Sequence, residues 1–261
     1  MTELIGLVPA AGQARRLGLL PYSKELFPLG LQDLVIDGVA VKMLKVISQH
    51  LLDSMKKAGV KKFFFILGEG KSPIMDYYGN GHKFGGEIAY LYQERLWGMP
   101  FALDLARPWL KGETVLFGMP DTIFAPADAF VQLLERHRIS GADLTLGLFR
   151  TDQPWRFGMV ALDARDRVTR CIDKPATTSL EYLWGIACWS PTFTSFLGDE
   201  LQAHPYNGQE VVLGDIFQAA VENQLIVQGV RFEDGSYLDI GNPEALVAVM
   251  EHIAGEQMQS S

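Results

Sequence analysis

The sequence predicts an α/β fold built around a mixed β-sheet. Strand and helix patterns alternate through the first half of the chain, which is typical of parallel strands joined by right-handed crossovers. After the predicted helix at 128–139 the pattern changes, and β runs follow one another at 142–150, 158–163, 167–173 and 182–190. No Pro/Gly/Ser-rich linker separates the two halves, so we expect these runs to extend the same sheet. We predict one domain over residues 1–254 and a frayed tail over 255–261.

The first half supplies most of the predicted helices. The stretch VKMLKVISQHLLDSMKKAG (41–59) places apolar residues at helical spacing and ends at Gly59, as a C-terminal cap would. The run SPIMDYY (72–78) predicts a short helix with Ser72 as its cap and Pro73 at its first position. The remaining runs predict strands at 4–10, 61–67, 87–92 and 113–119 and a helix at 101–110.

Two more helices are predicted near the end of the chain. They cover residues 214–223 and 243–254, and Asn242 with Pro243 would begin the second.

Composition and charge narrow the class of ligand. The 261 residues carry a formal net charge of −8 and contain no apolar run long enough to cross a membrane, so we expect a cytoplasmic protein. An acidic chain without a basic face argues against nucleic acid as a partner. Its positive charge is concentrated locally, which favours a small anionic ligand. The sequence leaves open whether the chain forms a homo-oligomer.

The loop after the first predicted strand carries the most unusual charge pattern. Gly12, Arg15, Arg16 and Lys24 lie in a stretch without any carboxylate between Glu3 and Glu25. Ligands of open α/β sheets collect at the carboxyl ends of the strands, where this loop must lie. A glycine admits a phosphate close to the backbone, and mobile cations add charge. We interpret the loop as a triphosphate site; the alternative is a surface loop with solvated arginines.

Two aspartates follow strand-like segments and could hold a metal ion. Asp121 comes behind the apolar run of VLFGMPDT, and Asp239, in YLDIGNPEA, follows a strand-like segment. Carboxylates at such positions commonly hold Mg²⁺ against a nucleotide phosphate. The alternative for Asp121 is a turn or a helix cap.

Two further positions give weaker signals. Lys174, at a strand end before Pro175, could hold a phosphate, although a solvated lysine would look the same. Gln93 offers both an amide donor and a carbonyl acceptor, which match the edge of a pyrimidine base, and Gly98 leaves room for a flat ring. The five histidines show no ligand spacing for zinc, and no G-x-S-x-G of a serine hydrolase occurs.

Taken in order, these motifs resemble the sugar nucleotidyltransferases, the sugar-1-phosphate nucleotidylyltransferase family that includes glucose-1-phosphate thymidylyltransferases. The resemblance runs over nearly the whole chain, through LVPAAGQARRLGLLPYSKELFPLG, QERLWGMPFAL, VLFGMPDT, FGMV, IDKP, YLWGI and YLDIGNPEAL. It implies a three-layer α/β/α Rossmann-like fold. It also implies a reaction in which a nucleoside triphosphate and a sugar-1-phosphate give a nucleotide sugar and pyrophosphate.

The resemblance also implies roles for individual residues. Arg16 and Lys24 would be catalytic together with Asp121, and Asp121 and Asp239 would hold Mg²⁺. The nucleotide would be bound by Ala11, Gly12, Ala14, Gln93 and Gly98. The sugar phosphate would be bound by Gly158, Asp173 and Lys174.

The chain departs from the family pattern at four positions. Ala14 stands where a second glycine is usual, Arg15 where a small hydroxyl residue is usual, and Ser23 where proline precedes the lysine. Asp173 replaces the usual glutamate, which shortens its reach by about one methylene. These departures bear on the identity of the substrate more than on the type of reaction. Among nucleotides, we favour dTTP or UTP.

Three alternatives remain open on the sequence. The first is a cytidylyltransferase or uridylyltransferase acting on another phosphorylated small molecule. The second is a non-catalytic regulatory protein that binds a nucleotide sugar. The third is a glycosyltransferase with a similar nucleotide-binding half.

Overall fold

The computed structural model describes residues 2–12, 23–36, 38–241, 246–247 and 249–250. The β-strands are β1 (Leu4–Ala10), β2 (Pro28–Ile36), β3 (Val39–Val46), β4 (Lys62–Leu67), β5 (Glu87–Tyr92), β6 (Thr114–Gly118), β7 (Thr122–Ala125), β8 (Leu144–Arg150), β9 (Gly158–Leu162), β10 (Val168–Asp173), β11 (Tyr182–Trp189), β12 (Val227–Phe232) and β13 (Ser236–Asp239). The α-helices are α1 (Ile47–Lys57), α2 (Ser72–Tyr78), α3 (Met99–Asp104), α4 (Ala129–Ser140), α5 (Pro191–Ala203) and α6 (Leu213–Glu222).

A nine-stranded mixed sheet forms the centre of the molecule. Its main path runs in the order β10-β9-β11-β6-β1-β4-β5, and β8 and β12 continue from β11. Four strands lie side by side in the order β6, β1, β4 and β5, and each is parallel to the next. Strand β11 is antiparallel to β6, β8 and β9. The predicted change from a parallel to an antiparallel pattern is therefore confirmed.

Helices cover both faces of this sheet because successive side chains of a strand point to opposite sides. Leu7 of β1 joins the core beneath α3, α5 and α6. Its neighbour Val8 joins the core beneath α1, α2 and α4. The fold is thus the predicted three-layer α/β/α arrangement, and the central strands are buried on both sides.

Two small antiparallel sheets lie outside the central one. Strands β2 and β3 form a hairpin, and β7 pairs with β13. A third, smaller core connects this region: Ile47 of α1 packs with Leu29, Ile240 and Val249. Residues 246–247 and 249–250 are helical, in agreement with the helix predicted at 243–254, and the other residues of that prediction, with its predicted cap at Asn242, lie outside the described residues.

Several predicted boundaries are wrong. The helix predicted from residue 41 begins only at Ile47, because Val39–Val46 pairs with β2 as a strand. The β-branched residues of this segment favour a strand, and Leu44 is 61% exposed rather than in a helix core.

Two other helices also begin or end differently from the prediction. Lys71 rather than Ser72 is the N-cap of α2, so that Ser72 is already helical. The helix predicted at 101–110 begins at Met99 and ends at Asp104, and a 3-10 turn at Arg107–Trp109 follows it. The sequence patterns also did not predict α5, β2, β7 or β12.

None of the helices in the described part of the chain combines the length and the apolar character needed to cross a bilayer.

Candidate functional site

The first strand of the sheet ends at the candidate site. Ala10 closes β1 and is followed by Ala11, which is buried, and Gly12, which is exposed. A Cβ atom added to Gly12 would meet no atom of the described residues within 4 Å. Of the residues predicted in this loop, Ala14 and Arg16 lie outside the described residues.

Lys24 and Asp121 form an ion pair at the centre of the site. Lys24 begins the 3-10 turn Lys24–Leu26, and Asp121 lies in the turn between β6 and β7, where its side chain is 8% exposed. The Lys24 Nζ donates a hydrogen bond to Asp121 Oδ2. Burial lowers the pKa of Lys24, but the Asp121 carboxylate and two other nearby carboxylates outweigh burial and raise this pKa above its ordinary value. Lys24 is therefore a fully charged ammonium group at neutral pH.

A second, more deeply buried ion pair supports Lys24. The carboxylate of the next residue, Glu25, accepts hydrogen bonds from Lys71 Nζ at 2.9 and 2.8 Å, and the two residues are 1% and 5% exposed. Ser48 Oγ also donates to the Glu25 backbone carbonyl at 2.6 Å. Burial raises the pKa of Glu25, although Lys71 acts in the opposite direction. Sequence reasoning missed this pair because its members lie 46 positions apart.

Asp239 is brought to the Lys24–Asp121 pair by the small sheet of β7 and β13. It is the last residue of β13 and pairs with Thr122 of β7, directly after Asp121. The backbone N–H of Ile240 donates to the Asp121 carbonyl at 3.1 Å. The two aspartates predicted as metal ligands thus come together where β13 ends and β7 begins.

The donor chemistry of this pair fits Mg²⁺. Asp239 Oδ1 accepts hydrogen bonds from Gly241 N–H at 2.6 Å and from Arg156 Nη2 at 3.4 Å. Each carboxylate carries a second oxygen. Within the described ranges no group of three or more His, Cys, Asp or Glu side chains gathers, so the candidate site depends on two carboxylates. Mg²⁺ is usually held in this way, with waters and substrate phosphates completing the shell.

Gln93 and Gly98 lie on one side of the Lys24–Asp121 pair. Gln93 follows β5, is buried, and donates from Nε2 to the Gly98 carbonyl at 3.3 Å. Gly98 is the N-cap of α3, with a φ of 118° that only glycine adopts readily. A Cβ atom there would lie 2.1 Å from the Val211 carbonyl oxygen. Close contact with the loop at Val211 therefore requires glycine at this position.

These residues line the first of two cavities. It has a volume of about 400 Å³, and it is also lined by Ala11, Gly12, Leu96 and Ala102. Its walls combine apolar side chains with the Gln93 amide and the Lys24 ammonium, as is usual in sites for small molecules.

The predicted sugar-phosphate residues line a second cavity of about 240 Å³. Gly158 begins β9, Asp173 ends β10, and Lys174 follows with a φ of 41°. A Cβ atom at Gly158 would lie 2.1 Å from Nε1 of Trp184, which explains why glycine is needed there. That Nε1 is buried and has no hydrogen-bond partner among the described residues.

The two cavities adjoin at the ion pair. Both are lined by Lys24, Asp121, Met99, Met119 and Glu210. The structure therefore brings the described members of the predicted site together. The predicted nucleotide-binding residues line the first cavity, the predicted sugar-phosphate residues line the second, and Lys24 and Asp121 lie between the two.

Two further residues of the site were missed by sequence reasoning. Glu210 lies in an exposed loop before α6, and no strand end or glycine pattern marks it. Arg156 lies in a 3-10 turn before Gly158, where it bonds both Gln153 and Asp239. A cation directly before the FGMV motif was a usable signal for Arg156.

Comparisons with known proteins identify the family of the chain. Residues 34–256 match the nucleotidyl transferase family. The chain is 24% identical over 206 residues to the low-salt glycan biosynthesis nucleotidyltransferase Agl11 of Haloferax volcanii. It is 28% identical over 202 residues to mannose-1-phosphate guanylyltransferase of Mycobacterium tuberculosis. These alignments cover 78% and 76% of the chain but only 56% and 53% of the relatives, so the chain spans about half of their length.

Solved structures show the same fold. A candidate glucose-1-phosphate thymidylyltransferase of Bacillus anthracis, solved with sucrose, superposes with a TM-score of 0.82 at 19% identity, covering 96% of this chain and 95% of that one. A UDP-glucose pyrophosphorylase in complex with UDP-glucose gives 0.79 at 16% identity and covers 98% and 100%. Together with the family match, which includes most of the chain, these findings show that the protein belongs to the nucleotidyl transferase family.

Proposed function

We propose that the protein couples a nucleoside triphosphate to a sugar-1-phosphate and releases a nucleotide sugar and pyrophosphate. The observation that carries the proposal is the Lys24–Asp121 pair at the junction of two cavities. A transfer between two bound anions needs two adjoining binding spaces with cationic charge between them. The names of the relatives and structural neighbours agree with this class of reaction.

The larger cavity would bind the nucleotide. Gln93 would face the base, and Ala11 and Gly12 would face the phosphates. From the resemblance, Ala14 and Arg16, which lie outside the described residues, would bind the phosphates as well. In the smaller cavity Asp173 would accept hydrogen bonds from sugar hydroxyls, and Lys174 and Arg156 would face the sugar phosphate. Gly158 would leave room for the sugar beside Trp184.

Asp121 and Asp239 would hold Mg²⁺. The ion would offset part of the negative charge that accumulates when two polyanions meet. In the described structure the charge of Asp121 is balanced by Lys24 and that of Asp239 by Arg156. We infer that these two cations turn to the substrate phosphates when the carboxylates bind the metal.

The chemical step is an in-line displacement at the α-phosphorus. An oxygen of the sugar phosphate forms a bond to this phosphorus while the bond to the bridging oxygen of the β-phosphate breaks, and pyrophosphate departs with the electron pair. Lys24 and Arg16 would stabilise the charge that develops on the leaving group. The two cavities would hold the reactants in line, which supplies much of the rate enhancement without a covalent intermediate.

Assays of pyrophosphate release with a panel of nucleoside triphosphates and sugar-1-phosphates would test this function. We favour dTTP or UTP because the Gln93 amide matches a pyrimidine edge. Turnover with CTP and a phosphorylated acceptor that is not a sugar would instead favour the cytidylyltransferase alternative. Binding of a nucleotide sugar without any pyrophosphate exchange would favour a regulatory protein.

Two variants would test the site itself. We expect Lys24→Ala and Asp121→Ala each to lower turnover by orders of magnitude with the fold intact, because each removes one half of the central charge pair. Lys111→Ala, which removes an exposed lysine remote from both cavities, is the control. Turnover close to that of the control in either variant would contradict the site assignment.

The proposed reaction would be a step of nucleotide-sugar biosynthesis. Because it consumes nucleoside triphosphates, we propose that the protein acts in the cytoplasm. We further propose that residues 1–254 form one domain; the tail predicted over 255–261 lies outside the described residues.

A further inference from the structure

The hairpin of β2 and β3 exposes an apolar face that the central sheet does not cover. Its outward side carries three cross-strand pairs: Leu31 with Leu44, Asp33 with Lys42, and Val35 with Ala40. Leu31, Leu44 and Val35 are 54%, 61% and 68% exposed. The intervening residues Gln32 and Leu34 are only half-buried and turn to the body of the protein. Exposed aliphatic side chains gathered on one face in this way typically mark an interaction surface.

Two charges lie in the middle of this face. Asp33 and Lys42 are opposite each other across the strands, yet neither takes part in an ion pair among the described residues. The face therefore consists of a row of leucines, a row with one negative and one positive charge, and a row of Val35 and Ala40.

This pattern is complementary to itself in only one of two possible arrangements. A two-fold contact places the same face of two copies against each other. If the axis runs across the strands, Asp33 meets Asp33 and Lys42 meets Lys42, which is repulsive. If the axis runs along the strands, Asp33 meets Lys42 of the second copy twice. The same rotation places Leu31 on Leu44 and Val35 on Ala40.

We propose that the outward face of the hairpin is a contact surface for a second copy of this chain, with the two-fold axis along the strands. Apolar rows would bury each other on both sides of two reciprocal ion pairs. Six side chains form a smaller contact than the roughly 800 Å² per partner of a standard interface. We therefore expect dissociation constants on the order of micromolar.

Charge variants test this arrangement in the full chain. We expect sedimentation equilibrium from about 1 to about 100 µM to show dimers for the unaltered protein. Asp33→Lys leaves two lysines on each face and Lys42→Asp leaves two aspartates, so each variant alone should be monomeric. An equimolar mixture of the two should form dimers again, and the double variant Asp33→Lys/Lys42→Asp should do so by itself.

The control is Asp199→Lys, the same change of charge at an exposed position of α5 beyond the other face of the sheet. It should dimerise as the unaltered protein does, and circular dichroism should show that all variants are folded. A monomeric unaltered protein throughout the concentration range would overturn the proposal. So would dimers of Asp33→Lys alone, or a mixture of the two single variants that stays monomeric.

Discussion

Lys24 and Asp121 lie 97 positions apart, and each compensates for the burial of the other. Burying either charged group without its partner would raise the free energy of the folded state. The same holds for Glu25 and Lys71 behind them, which are more deeply buried. Lys24 and Glu25, which are adjacent in one turn, are thus held by two separate ion pairs. Lys24 pairs with the turn after β6, and Glu25 pairs with the loop before α2.

We expect Lys71→Met to destabilise the protein by about 3–5 kcal/mol, because it leaves the Glu25 carboxylate buried without a partner. Urea denaturation near pH 7 would measure the free energy of unfolding. Lys62→Met is the matched control, since Lys62 pairs with Glu3 on the surface and its loss should change little. Equal midpoints for the two variants would show that the buried pair does not stabilise the fold.

The double variant Glu25→Gln/Lys71→Met separates pairing from packing. It removes both charges, so much of the stability lost in Lys71→Met should return. A double variant as unstable as the single one would indicate that packing of the lysine stem, rather than the unpaired charge, causes the loss.

At the scale of single elements, the short segments around the site are positioned by contacts between loops. Gly98 forms a bridge to Val211, and the Val211 N–H donates to the Trp97 carbonyl at 3.1 Å. Trp97 also stacks on Tyr206, with ring centroids 4.9 Å apart and planes within 7°. The loop that carries Glu210 is therefore attached to the loop that leads into α3.

We expect Gly98→Ala to separate these loops, because the new Cβ would collide with the Val211 backbone. Gly112→Ala is the control: Gly112 also has a positive φ, 82°, but no atom within 4 Å of the added Cβ. Strain at φ alone costs about 1 kcal/mol, and the collision should add about 1–3 kcal/mol at Gly98. Thermal unfolding and nucleotide binding by calorimetry would measure the effect. Equal losses in both variants would show that the loop contact is dispensable.

At the scale of the whole molecule, the buried His137 and the half-buried His50 make stability depend on pH. Burial lowers the pKa of His50 and of His137 from 6.5 to about 4. Protonation is therefore easier in the unfolded chain, and the stability present above pH 6.5 is lost as pH falls towards 4. Each histidine should contribute about 1.4 kcal/mol per pH unit across this window.

Unfolding free energies measured at intervals between pH 7 and pH 4 would test this dependence. His137→Gln should flatten the curve, since glutamine does not titrate and can still bond Thr145. His204→Gln, at a side chain that is 75% exposed, should leave it unchanged. Identical curves for both variants would contradict the assignment to His137.

Local patterns were sufficient for much of the architecture. The apolar runs of β1, β4 and β6 and the helical spacing of α4 determined these elements, because their periodicity reflects burial on two faces. The order of predicted strands also indicated that Lys24, Gln93, Asp121 and Asp239 would lie at one edge of the sheet, and in the structure they line the two adjoining cavities. The hairpin was missed because the alternation of Val39–Val46 continues into the helical spacing of α1 without a break.

What the sequence by itself determined is the alternation of strands and helices and the identity of the residues that follow the strands. Only the tertiary structure decided which of those residues meet. Asp239 lies beside Asp121 because β13 pairs with β7, and Glu25 is neutralised by Lys71 because two distant loops pack together. Such contacts depend on strand pairing and burial between segments far apart in the chain, and no local spacing of residue types encodes them.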